Sequence, residues 1–328
     1  MARIGLTGAT GYIGTALAAK LAASGHTVIG LDNQSGPVRT PVTRAGIHPG
    51  DIRDESTWKP LADADVLLHL AASSGVMVCA EDPVGTATVN VDATDRLARW
   101  SAGRGIPFAF ASSFAVVGIP EALPITETTP ARPTHEYAWQ KARGEAVVVG
   151  AFAHASVPAA VVRMSNVYGR YRVDGQVVAK GNVLNLFAQQ AAAGGLRVSA
   201  PGTQRRDFVH LLDVLDHWEA VARWLGRRAT TGCPTFNVAS GESSTVLDLA
   251  GRFARAWGAA HPDRPPPSVD IVPNPRGAVE LLQSEFAIDR RWTGSTLEIP
   301  IRHGLDDGVR AIVRDADLFT ISGVGPAH

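Results

Sequence analysis

Tyr137 and Lys141 are four residues apart, a spacing that puts both side chains on one face of a helix. A phenol is a poor base, with an ordinary pKa of roughly 10. A nearby ammonium favours its phenolate form. A hydroxyl such as that of Ser113, just past the apolar run Pro107 to Ala111, can hold the same substrate oxygen. The trio suits removal of an alcohol proton while a hydride leaves the adjoining carbon. Tyr-x-x-x-Lys pairs are common, so this reading needs a hydride acceptor. Residues 1–14, MARIGLTGATGYIG, point to one: Ile4 and Leu6 lead into Thr7 and then Gly8, Gly11 and Gly14. Glycines so spaced let the chain turn out of a strand, let backbone approach a pyrophosphate, and let helix and strand pack closely. The phosphates then rest on free N–H groups at the helix N-terminus. A second strand, Thr27 to Leu31, ends in Asp32, a carboxylate placed to accept hydrogen bonds from an adenosine ribose. Asn33 and Gln34 follow instead of Arg, which favours NAD over NADP.

These residues need strands that end together. Asp65 to Leu70 reads as a buried strand closing on Ala71-Ala72, small residues that leave room for a cofactor, and Pro107 to Ala111 reads as another. A helix at Glu55 to Leu61 precedes the first of these, and one at Glu81 to Gly103, with Asn90 inside it, lies between them. Residues 33–50 read as a Gly/Pro-rich loop. In GDIRD at 50–54, either Asp51 and Ile52 hold an adenine, by hydrogen bond and by contact, or the stretch caps the helix that follows. Alternation of strand and helix predicts an α/β fold, a Rossmann-type doubly wound parallel sheet over residues 1–167. A smaller C-terminal α/β substrate-binding lobe, interwoven with the first, is expected over 168–319, and a tail over 320–328. Helices are predicted over Gly181 to Gly194, Val209 to Leu225 and Ser244 to Trp257, with Trp218 and Trp224 in the core. The run HPDRPPP at 261–267 reads as a stiff linker.

Composition narrows the classes of function. Lys+Arg and Asp+Glu both number 31 in 328 residues, so there is no basic excess to suggest nucleic acid or an anionic membrane surface. No apolar run is long enough to span a bilayer, and the first strand starts almost at Met1, which leaves no room for a signal peptide. A cytoplasmic protein is expected. Cys79 and Cys233 make no disulfide framework and are expected to be buried and reduced. The ten histidines show no metal-ligand spacing, so no metal is expected.

The chain resembles an extended short-chain dehydrogenase/reductase, closest in pattern to the NAD-dependent NDP-sugar 4-epimerases of the UDP-glucose 4-epimerase type. The resemblance runs from Arg3 to about Val309. It rests on TGATGYIG at 7–14, GDIRD, HLAA at 69–72, VNV at 89–91, SSFAVVG at 112–118 and the Tyr137–Lys141 pair. It continues through RMSNVYG at 163–169, QRRDFVH at 204–210, FNVASGESSTVLDL at 236–249 and PRG at 275–277. It implies catalysis by Ser113, Tyr137 and Lys141. It adds Thr10, Tyr12, Ile13, Asn33, Leu70 and Asn90 to the cofactor contacts read above, which Tyr137 and Lys141 also join. For a nucleotide-diphosphate sugar it implies Ser74, Ser113, Asn166, Asn182 and Val183, with Arg206 and Arg276 clasping the diphosphate. Guanidinium forks suit phosphate oxygens. A homodimer through the helices holding residues 86–103 and 137–153 is implied as well.

Several positions depart from the family pattern. Val117 replaces a common Tyr, and Arg170 a common Pro. Ser199 stands where many relatives stack an aromatic on the base, and Ala278-Val279 follow PRG where Asp is usual. Phe114-Ala115 stand where sugar dehydratases carry an acidic pair, which argues against 4,6-dehydration. The expected reaction is C4 epimerisation of a neutral or N-acetylated NDP-hexose through a 4-keto intermediate. Reduction of a 4-keto sugar, and uronate epimerisation or decarboxylation aided by Arg170 or Arg172, use the same machinery. A non-catalytic dinucleotide sensor is the remaining alternative.

Overall fold

A strand, β1 (Arg3–Thr7), opens the protein and runs directly into the glycine turn and a helix, α1 (Tyr12–Ala23). The computed structural model describes residues 1–35, 46–173, 175–227, 231–274 and 285–315. The chain continues through β2 (Thr27–Asp32), β3 (Ile47–Pro49) and β4 (Val66–His69), then α2 (Val76–Glu81), α3 (Pro83–Ala87) and α4 (Thr94–Gly103). Next come β5 (Phe108–Ser113), α5 (Glu136–Phe152) and β6 (Ala159–Met164). The later half holds β7 (Asn166–Tyr168), β8 (Tyr171–Val173), β9 (Gln176–Val178), α6 (Val183–Ala192), β10 (Gly195–Ser199), β11 (Arg205–His210) and α7 (Leu211–Gly226). It closes with β12 (Thr235–Val238), β13 (Ser243–Thr245), α8 (Val246–Ala260), β14 (Ser268–Val272), α9 (Arg291–Leu297) and α10 (Leu305–Arg314).

The central sheet has seven strands in the order β12-β6-β5-β4-β1-β2-β3, all parallel. A parallel sheet is covered on both faces, so its strands carry unbroken apolar runs. In β4 (VLLH) and β6 (AAVVRM) every residue is buried. On one face α1 and α7 pack through Leu17, Leu21, Trp218 and Val221, and on the other Trp58, Leu97, Phe108, Phe110, Val148 and Phe152 pack together. A third cluster in the later half joins Phe187, Leu196, Phe253, Trp257, Val309 and Ile312. The sheet takes its last strand, β12, from residues 235–238, so the two halves interweave. They are also tied by the buried Tyr12 hydroxyl, which donates to the Gly169 carbonyl at 2.9 Å.

Several boundaries differ from expectation. Val209 and His210 belong to β11, and the helix starts at Leu211, where the His210 ring nitrogen accepts the Leu212 N–H at 3.2 Å. Ser244 and Thr245 likewise form strand β13, and the Thr245 hydroxyl caps α8 through the Asp248 N–H at 2.9 Å. The loop expected over 33–50 contains the edge strand β3. The expected helix over Glu81 to Gly103 holds a π-helical stretch at Thr88–Ala93, centred on Asn90. The helix after GDIRD is a 3₁₀ helix, Glu55–Asp63, and its cap is Asp54. Trp218 is buried as expected; Trp224 is half-buried at the margin of the same cluster. Cys79 is buried, but Cys233 is only half-buried, and both are free thiols.

Candidate active site

The glycine turn divides three tasks among three residues. Gly8 has φ +71°, and a Cβ there would stand 2.7 Å from the Ala71 backbone nitrogen, so β4 approaches closely only because that carbon is missing. At Gly14 a Cβ would lie 1.9 Å from the Gly8 carbonyl oxygen, which is what holds α1 against the turn. Gly11 has no such clash; it opens α1 with no side-chain cap and no acidic residue in the first turn. Its N–H groups are left for an anion, and the helix dipole favours one there. Asp32, at the end of β2, accepts the Thr10 N–H at 3.0 Å and the Gln34 N–H at 2.6 Å, so its carboxylate is fixed beside the turn. These are the features a dinucleotide requires, and the residues present fit NAD. Ile13 is half-buried against the core below the turn.

The floor of this site is the end of β4. Leu70 donates its N–H to the Thr7 carbonyl at 3.2 Å, and Ala71 to the Thr7 hydroxyl at 3.2 Å. His69 lies buried between Thr7 (2.7 Å) and Thr94 (3.0 Å). The Thr94 hydroxyl proton goes to the Asn90 carbonyl at 3.0 Å, so Nε2 of His69 carries the hydrogen and Nδ1 accepts from Thr7. Burial, with the charge of Lys141, pulls His69 down to about 3, so the ring stays neutral. Ala72 and Ser74 follow in the loop before α2, with Ser74 exposed.

Asn90 is fully buried. Its side chain donates to the Ser73 carbonyl (2.9 Å) and to Gln140 (2.7 Å), and accepts the Ser73 N–H (2.8 Å). It thus bridges the loop after β4 to α5. Asn33 donates to Asp51 at 3.0 Å, and Arg53 closes on the same carboxylate through Nε and Nη2, holding it well below the usual carboxylate range. Ile52 is buried.

Ser113 ends β5, and Tyr137 and Lys141 lie on the first turns of α5. The helix comes close because Gly144 faces Phe110, where a Cβ would sit 2.5 Å from the ring. Burial pushes the Tyr137 phenol up to about 12, against which a hydrogen bond with Ser113 pulls it down. Lys141 is 4% exposed and donates to the Ala111 carbonyl at 2.8 Å. Burial pulls its ammonium down to about 8; Cys79 and Glu145 oppose that shift and Lys180 adds to it. Lys180 and Glu145 carry no signal of their own in the sequence reading, though Glu145 continues the four-residue spacing of Tyr137 and Lys141.

The residues implied for a nucleotide sugar lie in the later half. Asn166 begins β7 and donates to the Asp207 carbonyl at 2.9 Å. Asn182 caps α6, accepting the Asn185 N–H at 3.0 Å and donating to the Val167 carbonyl at 3.1 Å, with Val183 half-buried beside it. Arg206 lies half-buried on β11, with Nη1 donating to the Arg205 carbonyl at 2.8 Å. Arg276 and the tail fall outside the described residues. Arg170 is turned to Asn185 (3.2 Å) and the Asp315 carbonyl (3.1 Å), and Arg172 is exposed on β8. Phe114 packs edge-on to Phe286 at 6.3 Å. Among the described residues no cluster of metal ligands occurs.

A glycine turn feeding a helix, an acidic end to β2, and a Ser-Tyr-Lys trio over a seven-stranded parallel sheet define a dinucleotide-dependent short-chain dehydrogenase/reductase. The profile of the NAD dependent epimerase/dehydratase family matches residues 4–239, and the chain belongs to that family. It is 31% identical over 278 residues to a UDP-glucose 4-epimerase of Mycolicibacterium smegmatis, covering 79% of this chain and 83% of that one. Its structure is similar to that of TunA, an NAD-dependent NDP-hexosamine 5,6-dehydratase of tunicamycin biosynthesis (TM-score 0.80, 27% identity, 98% and 100% of the chains). It also shares its fold with the UDP-glucose 4-epimerase of Thermotoga maritima (TM-score 0.80, 23% identity, 95% and 97% covered).

Proposed function

We propose that the protein is an NAD-dependent epimerase acting at C4 of a nucleotide-diphosphate sugar, a neutral or N-acetylated hexose. The observation that carries this reading is the buried Tyr137 beside Ser113, whose hydroxyl lowers the phenol against burial, with Lys141 one helical turn on, next to a glycine turn that fits NAD. Tyr137 takes the proton of the C4 hydroxyl and later returns it, while Ser113 donates to the same oxygen and Lys141 keeps a positive charge below the phenol. Bound NAD would supply a reversible hydride acceptor for C4 and a positive ring that favours the phenolate. Gly8, Thr10, Gly11, Tyr12, Ile13, Gly14, Asp32, Asn33, Asp51, Ile52, Leu70, Ala71, Ala72 and Asn90 form the walls of the cofactor site. Ser74, Asn166, Asn182, Val183 and Arg206 flank the substrate, and Arg206 with Arg276 holds the diphosphate while the sugar turns. We place the protein in the cytoplasm as a homodimer. On α3 and α5, Val84, Trp139 and Val149 are 77%, 50% and 47% exposed, apolar surface that a partner copy would cover.

The test is incubation with UDP-glucose, UDP-GlcNAc, UDP-glucuronate and their dTDP and CDP counterparts, without added cofactor, read by proton NMR. Inversion at C4 supports the reading. Stoichiometric NADH oxidation on a 4-keto sugar, with no inversion of saturated sugars, makes the protein a reductase. Alkene protons make it a dehydratase, as the likeness to TunA would allow. Tyr137→Phe should cut kcat by about 10²-fold or more and leave NAD bound.

A further inference from the structure

Beneath the trio lies a second set of charges that the reaction as described does not use. Arg163 and Glu145 form a two-point ion pair, Nε to Oε1 at 2.9 Å and Nη2 to Oε2 at 2.7 Å, with side chains only 7% and 11% exposed. The Ser112 hydroxyl donates to Oε1 of Glu145 at 2.6 Å, and Nη1 of Arg163 donates to the Thr129 carbonyl at 3.0 Å. Each partner adjoins a residue of the site. Ser112 precedes Ser113, Arg163 faces Ser112 across the β5–β6 register, and Glu145 lies one turn beyond Lys141 on α5. A buried ion pair is a weak source of stability, because desolvation offsets the attraction; what it fixes well is geometry.

We propose that Glu145, clamped by Arg163 and Ser112, is a positioning residue for the reaction: it sets how α5 presents Tyr137 and supplies the counter-charge for Lys141. This rests on the reading of Tyr137 and Lys141 as the proton-handling pair. The charged and titratable groups around Lys141 are Tyr137 and Glu145 on its own helix, Arg163 on β6 behind Glu145, Cys79 on α2, His69 on β4 and Lys180 before α6. Glu145 holds the ammonium in its charged form against burial and Lys180, while the Cys79 thiol, raised by burial, stays neutral there. The protonated ammonium is lost as pH rises, so removing the Glu145 charge moves that loss to lower pH.

The decisive variant is Glu145→Gln in the NAD-loaded protein, since the Gln carbonyl still accepts from Ser112. The expected result is a fall in kcat of about tenfold at pH 8 and an alkaline limb displaced downward by about one pH unit. KM and NAD content should stay within about twofold. ¹⁵N-lysine NMR should show Lys141 titrating lower, a readout that stands whether or not any tested sugar turns over. If Glu145→Gln leaves Arg163 too costly to bury, the paired Glu145→Met, Arg163→Met protein restores folding without charge and should displace the Lys141 titration in the same direction by a smaller amount, because a cation is removed with the carboxylate. Ser112→Ala, which keeps the ion pair, should slow kcat without moving the limb. A folded variant lacking the Glu145 charge but keeping the wild-type Lys141 titration and kcat overturns the proposal. Absence of turnover by the wild type, with Lys141 shifted as expected in the variant, counts instead against the proposed reaction.

Discussion

Gly11 and Gly14 are three residues apart and should fail in different ways when each is replaced by alanine. At position 14 the new Cβ would stand 1.9 Å from the Gly8 oxygen and 2.9 Å from its carbon, where favourable carbon contacts begin near about 3.5 Å. Both atoms are backbone, so no rotamer relieves the overlap, and α1 must lift from the turn. Overpacking of this kind costs about 3 kcal/mol, which lowers Tm by roughly 4 °C in a chain of this size. At position 11 the nearest atom is the same oxygen at 3.3 Å, and φ −72°, ψ 173° suits alanine. The fold should lose no more than about 1 kcal/mol. The methyl would instead occupy the space a pyrophosphate needs against the start of α1. NAD affinity should fall about 100-fold, or roughly 2.7 kcal/mol. Thermal melts of both variants without nucleotide, followed by calorimetric NAD titration, separate the two effects. A Gly14→Ala protein as stable as wild type, or a Gly11→Ala protein that binds NAD unchanged, would refute the division of roles.

Asp32→Ala should weaken NAD binding by about tenfold through loss of the bond to the ribose, and should narrow the preference for NAD over NADP. Titration of both nucleotides measures it, and an unchanged ratio would show that Asp32 does not select the cofactor. Acid should destabilise the fold through His69. Its folded pKa is depressed to about 3 from an ordinary 6.5, so the unfolded chain takes up the proton first and stability falls as pH drops below about 6.5. By pH 5 the loss from this group is about 2 kcal/mol, to be read by urea unfolding at pH 7.5 and pH 5; equal stabilities would mean that the ring is charged in the folded state.

Local order was readable in the sequence wherever a single stretch carries the whole reason for its shape. The glycine turn is such a stretch, because three missing Cβ atoms and one flanking strand suffice to explain it. Boundaries between neighbouring elements were less readable. Val209-His210 and Leu211-Leu212 are one apolar run, and only the pairing of His210 with Tyr168 across β11 and β7 shows where strand gives way to helix. The same holds for Ser244-Thr245, whose strand exists because β11 lies beside it. The π-helical turn at Asn90 answers to partners 17 and 50 residues away, Ser73 and Gln140, which no local pattern announces.

The site shows the same division between short and long range. Tyr137 and Lys141 are a pair by spacing alone, but the direction of Lys141 is set by the Ala111 carbonyl, 30 residues earlier. Arg170 stands in a motif that suggests the sugar pocket, yet Asn185 and the Asp315 carbonyl claim its guanidinium. Glu145 was legible only as the next step of a four-residue period. Its meaning depends on the register that sets Arg163 opposite Ser112, which gathers a carboxylate, a guanidinium and a hydroxyl next to the residues that neighbour Ser113 and Lys141. Sequence motifs named the groups proposed to meet the substrate, because those carry special chemistry. The groups that aim them are ordinary residues made specific by strand pairing, and they became visible only when the sheet was assembled.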